Sequence, residues 1–126
     1  LKMYAKADLL QFKNQLDESL TLLDSINIAF PNNDLADDIL QSKSKIYIKK
    51  SDYKKTSEIL NELIEKYSFS IWADDALFTL AMLEEEKLDD KINAQKHYEK
   101  LMTDFPGSLF VIEARKRFRN LRGDTL

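Results

Sequence analysis

The hexapeptide LADDIL at residues 35–40 returns as WADDAL at residues 72–77, 37 positions later. A phrase repeated at that interval marks stacked helical hairpins, because each such unit can bury its apolar face only against its neighbours. Working outward from this pair, the chain breaks at related places. Pro31 follows INIAF, Ser68 follows LIEKY and Pro106 follows LMTDF, so each break comes after an aromatic residue that ends an amphipathic run. Asn33, Ser70 and Ser108 then offer side chains suited to accept from free amides at a helix start. Asp37, Asp38, Asp74 and Asp75 fall where a new helix dipole is positive. Softer breaks near Asn14, at Ser51 and Asp52, and at Asp89 and Asp90 divide each unit into two helices.

Composition agrees with this reading. With 126 residues there is room for one domain of modest core, and 2 glycines and 2 prolines are too few for the turns of a strand-rich protein, so the expected class is all-α. A net charge of −3 provides no field that would gather nucleic acid or an anionic membrane. The lack of cysteine excludes disulfides and thiolate metal sites. No apolar run approaches the roughly 20 residues of a membrane span, so direct membrane insertion is not expected. The opening LKMYAK has no initiator methionine and reads as part of a longer protein.

Registering the units by their boundaries aligns the small residues. Ala7, Ser44 and Ala81 share one position in the first helices, and Ser19, Thr56 and Ala94 share one in the second helices. Small side chains recur where paired helices approach to about 8–10 Å. Leu23, Leu60 and Tyr98 form a bulky set, and Ile26, Leu63 and Leu101 another, three residues further along the same helical face.

Small at the eighth and twentieth positions, bulky at the twenty-fourth and twenty-seventh, and proline near the thirty-second is a pattern that resembles the tetratricopeptide repeat. The resemblance implies a right-handed α-α superhelix of three hairpins, at about 1–32, 33–69 and 70–107, with a capping helix at 108–122. The chain departs from the family pattern at several points. Met3, Leu40 and Leu77 stand in the tryptophan slot, Leu10, Tyr47 and Glu84 in the tyrosine slot, and Ser68 replaces one proline. The period of 37 exceeds the usual 34, and the three extra residues are expected to lengthen the start of the following helix. The junctions FPNNDLADDIL, YSFSIWADDAL and FPGSLFVIEAR resemble those of long-period bacterial envelope proteins, such as the assembly lipoprotein BamD and the division coordinator CpoB. The closing EARKRFRNLRGD is similar to the last helix of Bacteroidetes repeat proteins. This likeness implies a periplasmic or envelope location, with the cytoplasm as the alternative.

Reactive groups are sparse. His97 has no neighbour in sequence to orient it as a base and reads as a solvated surface residue. Glu84 to Glu86 and Asp89 to Asp90 lack the ligand alternation and glycine of a calcium loop, and read as a hydrated helix end. No cofactor or metal is expected. Arg115, Lys116, Arg117, Arg119 and Arg122 read either as a local anionic docking patch or, more simply, as the positive charge that suits a helix C-terminus, while Ala114, Phe118 and Leu121 are placed to pack that helix on the last hairpin. Arg122, Gly123 and Asp124 spell an adhesion tripeptide, yet Gly123 reads more simply as a helix stop.

In tetratricopeptide arrays the first helices line a concave groove that binds a peptide or partner helix. By register the resemblance assigns to it Asp38, Gln41, Ser42, Lys45 and Lys49, then Asp75, Phe78, Thr79, Met82 and Glu86, then Glu113, Lys116, Arg117 and Asn120. Phe78 and Met82 would give it an apolar spot, unless they pack between helices. The expected function is a non-catalytic protein-binding scaffold, with a purely structural or oligomerisation segment as the alternative. Met3, Tyr4, Ala7, Leu9 and Leu10 leave the first helix apolar on more than one face, so either self-association through that end or its fraying is expected.

Overall fold

In the computed structural model, residues 2–31 and 34–123 are described, and among them are seven helices and no strand. The helices are α1 (Lys2–Phe12), α2 (Leu16–Ala29), α3 (Ala36–Lys49), α4 (Tyr53–Lys66), α5 (Ala73–Glu86), α6 (Lys91–Asp104) and α7 (Val111–Arg122). All-α is correct, and α1 packs on α2 and α5 on α6, as the register requires.

The turns inside the hairpins stop one helix and start the next within three or four residues. After α1, the Asn14 amide donates to the Gln11 carbonyl at 2.9 Å and the Gln15 amide to the Leu10 carbonyl at 2.8 Å. After α3 the same pair recurs from Ser51 to Ile48 and from Asp52 to Tyr47, both at 2.9 Å. This is the Schellman arrangement, and it requires a left-handed residue, here Asn14 with φ 64° and Ser51 with φ 59°. Asp89, with φ 50°, occupies the corresponding place before α6. Asp52 and Asp90 then cap α4 and α6, each accepting through its carboxylate from the third helical amide, Lys55 and Asn93, at 3.2 Å.

The junctions between hairpins differ from the sequence expectation. Ser70 and Ser108 do accept backbone amides, but from Trp72 and Phe110 at 3.1 Å, and α5 and α7 begin only afterwards. The extra residues form a separate turn instead of lengthening the helix. The Ser70 amide donates to Tyr67 and the Ala73 amide to Ser70, and this pattern returns as Ser108 to Phe105 and Val111 to Ser108. A serine hydroxyl bonded two residues ahead competes with helical bonding and holds the chain in a turn. Asn33, the counterpart before α3, lies outside the described residues.

The chain divides into two compact units, Leu1–Ile59 and Leu60–Leu126, with the division falling along the sequence of α4. In the first, Ala7, Leu23, Ile26, Ile39 and Ile46 make the core, with Met3, Tyr4, Leu16 and Leu20 against it. In the second, Leu77, Ala81, Ala94, Tyr98, Leu101, Val111, Ala114 and Phe118 do so, with Leu121 packed at the edge. The closing helix thus docks through the three residues its spacing indicated. All twelve register positions, from Ala7 to Leu101, are buried. Gly123 ends α7 with φ 89°, as a helix-stopping glycine should; Asp124 lies outside the described residues.

Candidate functional site

In the first unit, Asp38, Gln41, Ser42, Lys45 and Lys49 follow helical spacing along α3. Lys45 and Lys49 are exposed and Asp38 is half-buried, whereas Gln41 and Ser42 are buried. Tyr4 of α1 explains the burial of Ser42: its hydroxyl lies 2.8 Å from the Ser42 hydroxyl and donates to the Asp38 carbonyl at 3.3 Å. Burial raises the Tyr4 phenol above its ordinary pKa, with Ser42 working against the shift. Asp8 lies near enough to Lys45 to feel its charge, yet desolvation still holds its carboxyl above the usual range. Gln41 is 5% exposed, and its Oε1 has no hydrogen-bond partner among the described residues.

In the second unit the expected groove residues divide. Lys116 and Asn120 are exposed on α7. Asp75 is occupied locally, accepting from the Thr79 hydroxyl at 3.0 Å. Phe78 stacks on Phe110, with ring centroids 4.8 Å apart and an interplanar angle of 13°, and tilts against Tyr98 at 6.1 Å. Met82 also packs against the core. Phe78 and Met82 therefore pack between helices, and their expected role as an open apolar spot is corrected. An aromatic at this place finds more partner atoms in the cluster than in water.

Arg117 is the largest departure from the sequence reading. Its Nε donates to Glu113 at 2.9 Å, and its Nη1 reaches Glu86 at 2.9 Å and Glu85 at 3.2 Å. The Tyr98 hydroxyl donates to the same Glu85 oxygen at 2.7 Å. Hydrogen bonding to Glu86 leads in pushing the guanidinium pKa further up, while burial and then Glu85 push up the Tyr98 phenol. A guanidinium already holding three carboxylates has little capacity left for a ligand. The pair Glu113 and Arg117, four residues apart, was legible in the sequence; Glu85 and Glu86 enter only through packing.

His97 is also corrected. Its Nδ1 lies 2.6 Å from Oε1 of Glu84, and Glu84 is 5% exposed, so the ring is paired across α5 and α6 instead of being solvated. Glu84 to Glu86 form an interhelical polar layer and not a hydrated helix end. Among the described residues no group of three or more potential ligands could hold a metal ion, and no helix is long and apolar enough to cross a membrane.

Residues 75–108 match the tetratricopeptide repeat family model, a span covering most of α5, all of α6 and the turn to Ser108. No curated protein sequence matches the chain. The fold is similar to that of a tetratricopeptide repeat protein from Parabacteroides merdae, with a TM-score of 0.76 at 16% identity. The likeness covers 96% of this chain and 44% of that protein, so the chain spans less than half of its relative's length.

Proposed function

We propose that this chain, with its tetratricopeptide-like hairpins, is a non-catalytic protein-binding scaffold whose α1 and α3 faces take an extended peptide or partner helix. The observation that carries the reading is Gln41. A buried amide oxygen without a partner costs about 1–3 kcal/mol, and such groups call for an explanation. A bound backbone N–H supplies the missing donor once the amide turns outward, with Asp38 and the exposed Lys45 beside it for charged side chains. Tetratricopeptide repeats generally mediate protein–protein interaction, which supports the class of partner. The long junctions, similar to those of envelope proteins, support a place in a bacterial cell-envelope assembly.

Displayed-peptide selection against the chain tests the site, followed by affinity measurement on Gln41→Leu and Lys45→Glu. Leucine removes the unpaired oxygen, so this variant should fold at least as stably while losing peptide affinity. Peptides that bind both variants as well as the parent chain would remove the α3 face from consideration. Fractionation of cells carrying the parent gene tests the location, and a purely cytosolic product contradicts it.

A structural role is the better reading for the second unit. Phe78, Met82 and Arg117 are already engaged within the unit, Glu86 is paired with Arg117, and Lys116 and Asn120 are left as the other exposed members of the expected set.

A further inference from the structure

The α1–α3 face gathers carboxylates around one phenol. Tyr4 and Asp8 stand one turn apart on the same side of α1, and Asp37 and Asp38 stand one turn before Gln41 on α3. The Tyr4 hydroxyl, 2.8 Å from that of Ser42 and 3.3 Å from the Asp38 carbonyl, ties the two helices together at this level. Desolvation first, and then the charges of Asp8, Asp38 and Asp37, raise the Tyr4 phenol against the opposing bond to Ser42. The Asp8 carboxyl is raised by desolvation first, with Lys45 working against the shift and Asp38 adding to it. The leading charged groups acting on Tyr4 and Asp8 are therefore three carboxylates and a single ammonium. Among the described residues no three such groups come close enough to share a metal ion, so the acids suit a wider cation.

Gln41 adds an acceptor that stands apart from these charges. It is 5% exposed, and its Oε1 has no hydrogen-bond partner among the described residues. A helical side chain covers the turn N-terminal to its own Cα, which for Gln41 is the turn of Asp37 and Asp38. An excess of acceptors in a setting partly removed from water calls for a ligand rich in donors. Arginine fits, because its planar guanidinium carries donors on several edges, has no acceptor, and stacks on aromatic rings such as that of Tyr4. Lysine fits less well, since its compact ammonium is more strongly hydrated and lacks the fork that matches carboxylates.

We propose that the segment taken by this face carries an arginine, whose guanidinium lies beside Tyr4 between Asp8 and Asp38 while a backbone N–H of the segment meets Gln41. The inference rests on the α1–α3 face being the peptide site and adds the chemistry of the residue it selects. A basic segment also suits a chain whose net charge is −3.

Selection of a random dodecapeptide phage library on the intact 126-residue chain tests this. Arginine is expected in the enriched sequences. Replacing it by citrulline, which keeps the shape and drops the charge, should weaken binding at least about tenfold. Asp8 is exposed, so Asp8→Asn should keep its helices by circular dichroism, weaken the arginine peptide by a similar factor and leave the citrulline peptide unchanged. Gln41→Leu should weaken both peptides alike, because the backbone contact does not depend on the side-chain charge. Peptides that lose affinity in Gln41→Leu but lack arginine, or bind equally well with citrulline, overturn the arginine inference and leave the peptide site standing. A library that yields no binder, or binders indifferent to Gln41→Leu, removes the site and this inference with it. Enrichment of acidic peptides whose binding is lost in Lys45→Glu overturns it in favour of a contact centred on Lys45.

Discussion

Glu84 and His97 face each other across α5 and α6 with 2.6 Å between Oε1 and Nδ1, at the level where the first hairpin carries Leu10 and Leu22. One repeat closes this layer with the buried Glu84 and the half-buried His97, another with aliphatic side chains. Removing His97 strands the buried Glu84 carboxylate, so His97→Ala should cost about 1–3 kcal/mol, read as a shift in the urea midpoint. The double variant Glu84→Leu/His97→Leu should lie close to the parent, because two apolar groups replace two desolvated polar ones. A double variant less stable than His97→Ala would show that the pair is worth more than its apolar counterpart.

Arg117 joins α7 to the end of α5 through Glu85 and Glu86. Arg117→Met should lower stability by about 1–2 kcal/mol, since the half-buried Glu85 loses its cation. Raising the salt should shrink the difference between variant and parent. A gap that does not change with salt would assign the loss to packing of the arginine stem.

The buried Tyr98 phenol is expected to contribute to the alkaline limit of the second unit. Its phenol is raised above the ordinary 10.0 by burial and then by Glu85, so the folded state holds this proton more tightly than the unfolded chain. That stabilisation is fully present below pH 10.0 and disappears as the pH rises from there through the folded value. Melting temperature should therefore fall above pH 10, and Tyr98→Phe should flatten the fall while losing the bond to Glu85. An identical alkaline slope in the variant would assign the transition to other groups.

Ser51 occupies a left-handed backbone position that glycine adopts without strain. Ser51→Gly should stabilise the chain by about 0.5–1 kcal/mol, seen as a higher melting temperature. Asn14→Gly should give less, because asparagine tolerates that region better than serine. A destabilised Ser51→Gly would point to a role for the serine side chain in the turn.

Phe78→Ala removes a ring stacked between Phe110 and Tyr98, with an expected loss of about 2–3 kcal/mol for a half-buried aromatic. Chemical denaturation measures it directly. An unchanged midpoint would return Phe78 to the set of free binding residues.

Helix order, the hairpin turns, the small and bulky register positions and the docking of Ala114, Phe118 and Leu121 were all legible in the sequence. Each follows from periodicity and local backbone chemistry, which act over three to seven residues and leave their trace in the order of the chain. Tertiary structure alone decided what the polar residues do. Ser42 is buried because Tyr4 reaches it from 38 positions away, and Glu84 became half of a pair because His97 lies opposite on the next helix. Arg117 turned from an exposed cation into a junction because Glu85 and Glu86 end α5 beside it. A polar side chain's role depends on which partner packing brings within about 3 Å, and no periodicity along the chain records that distance.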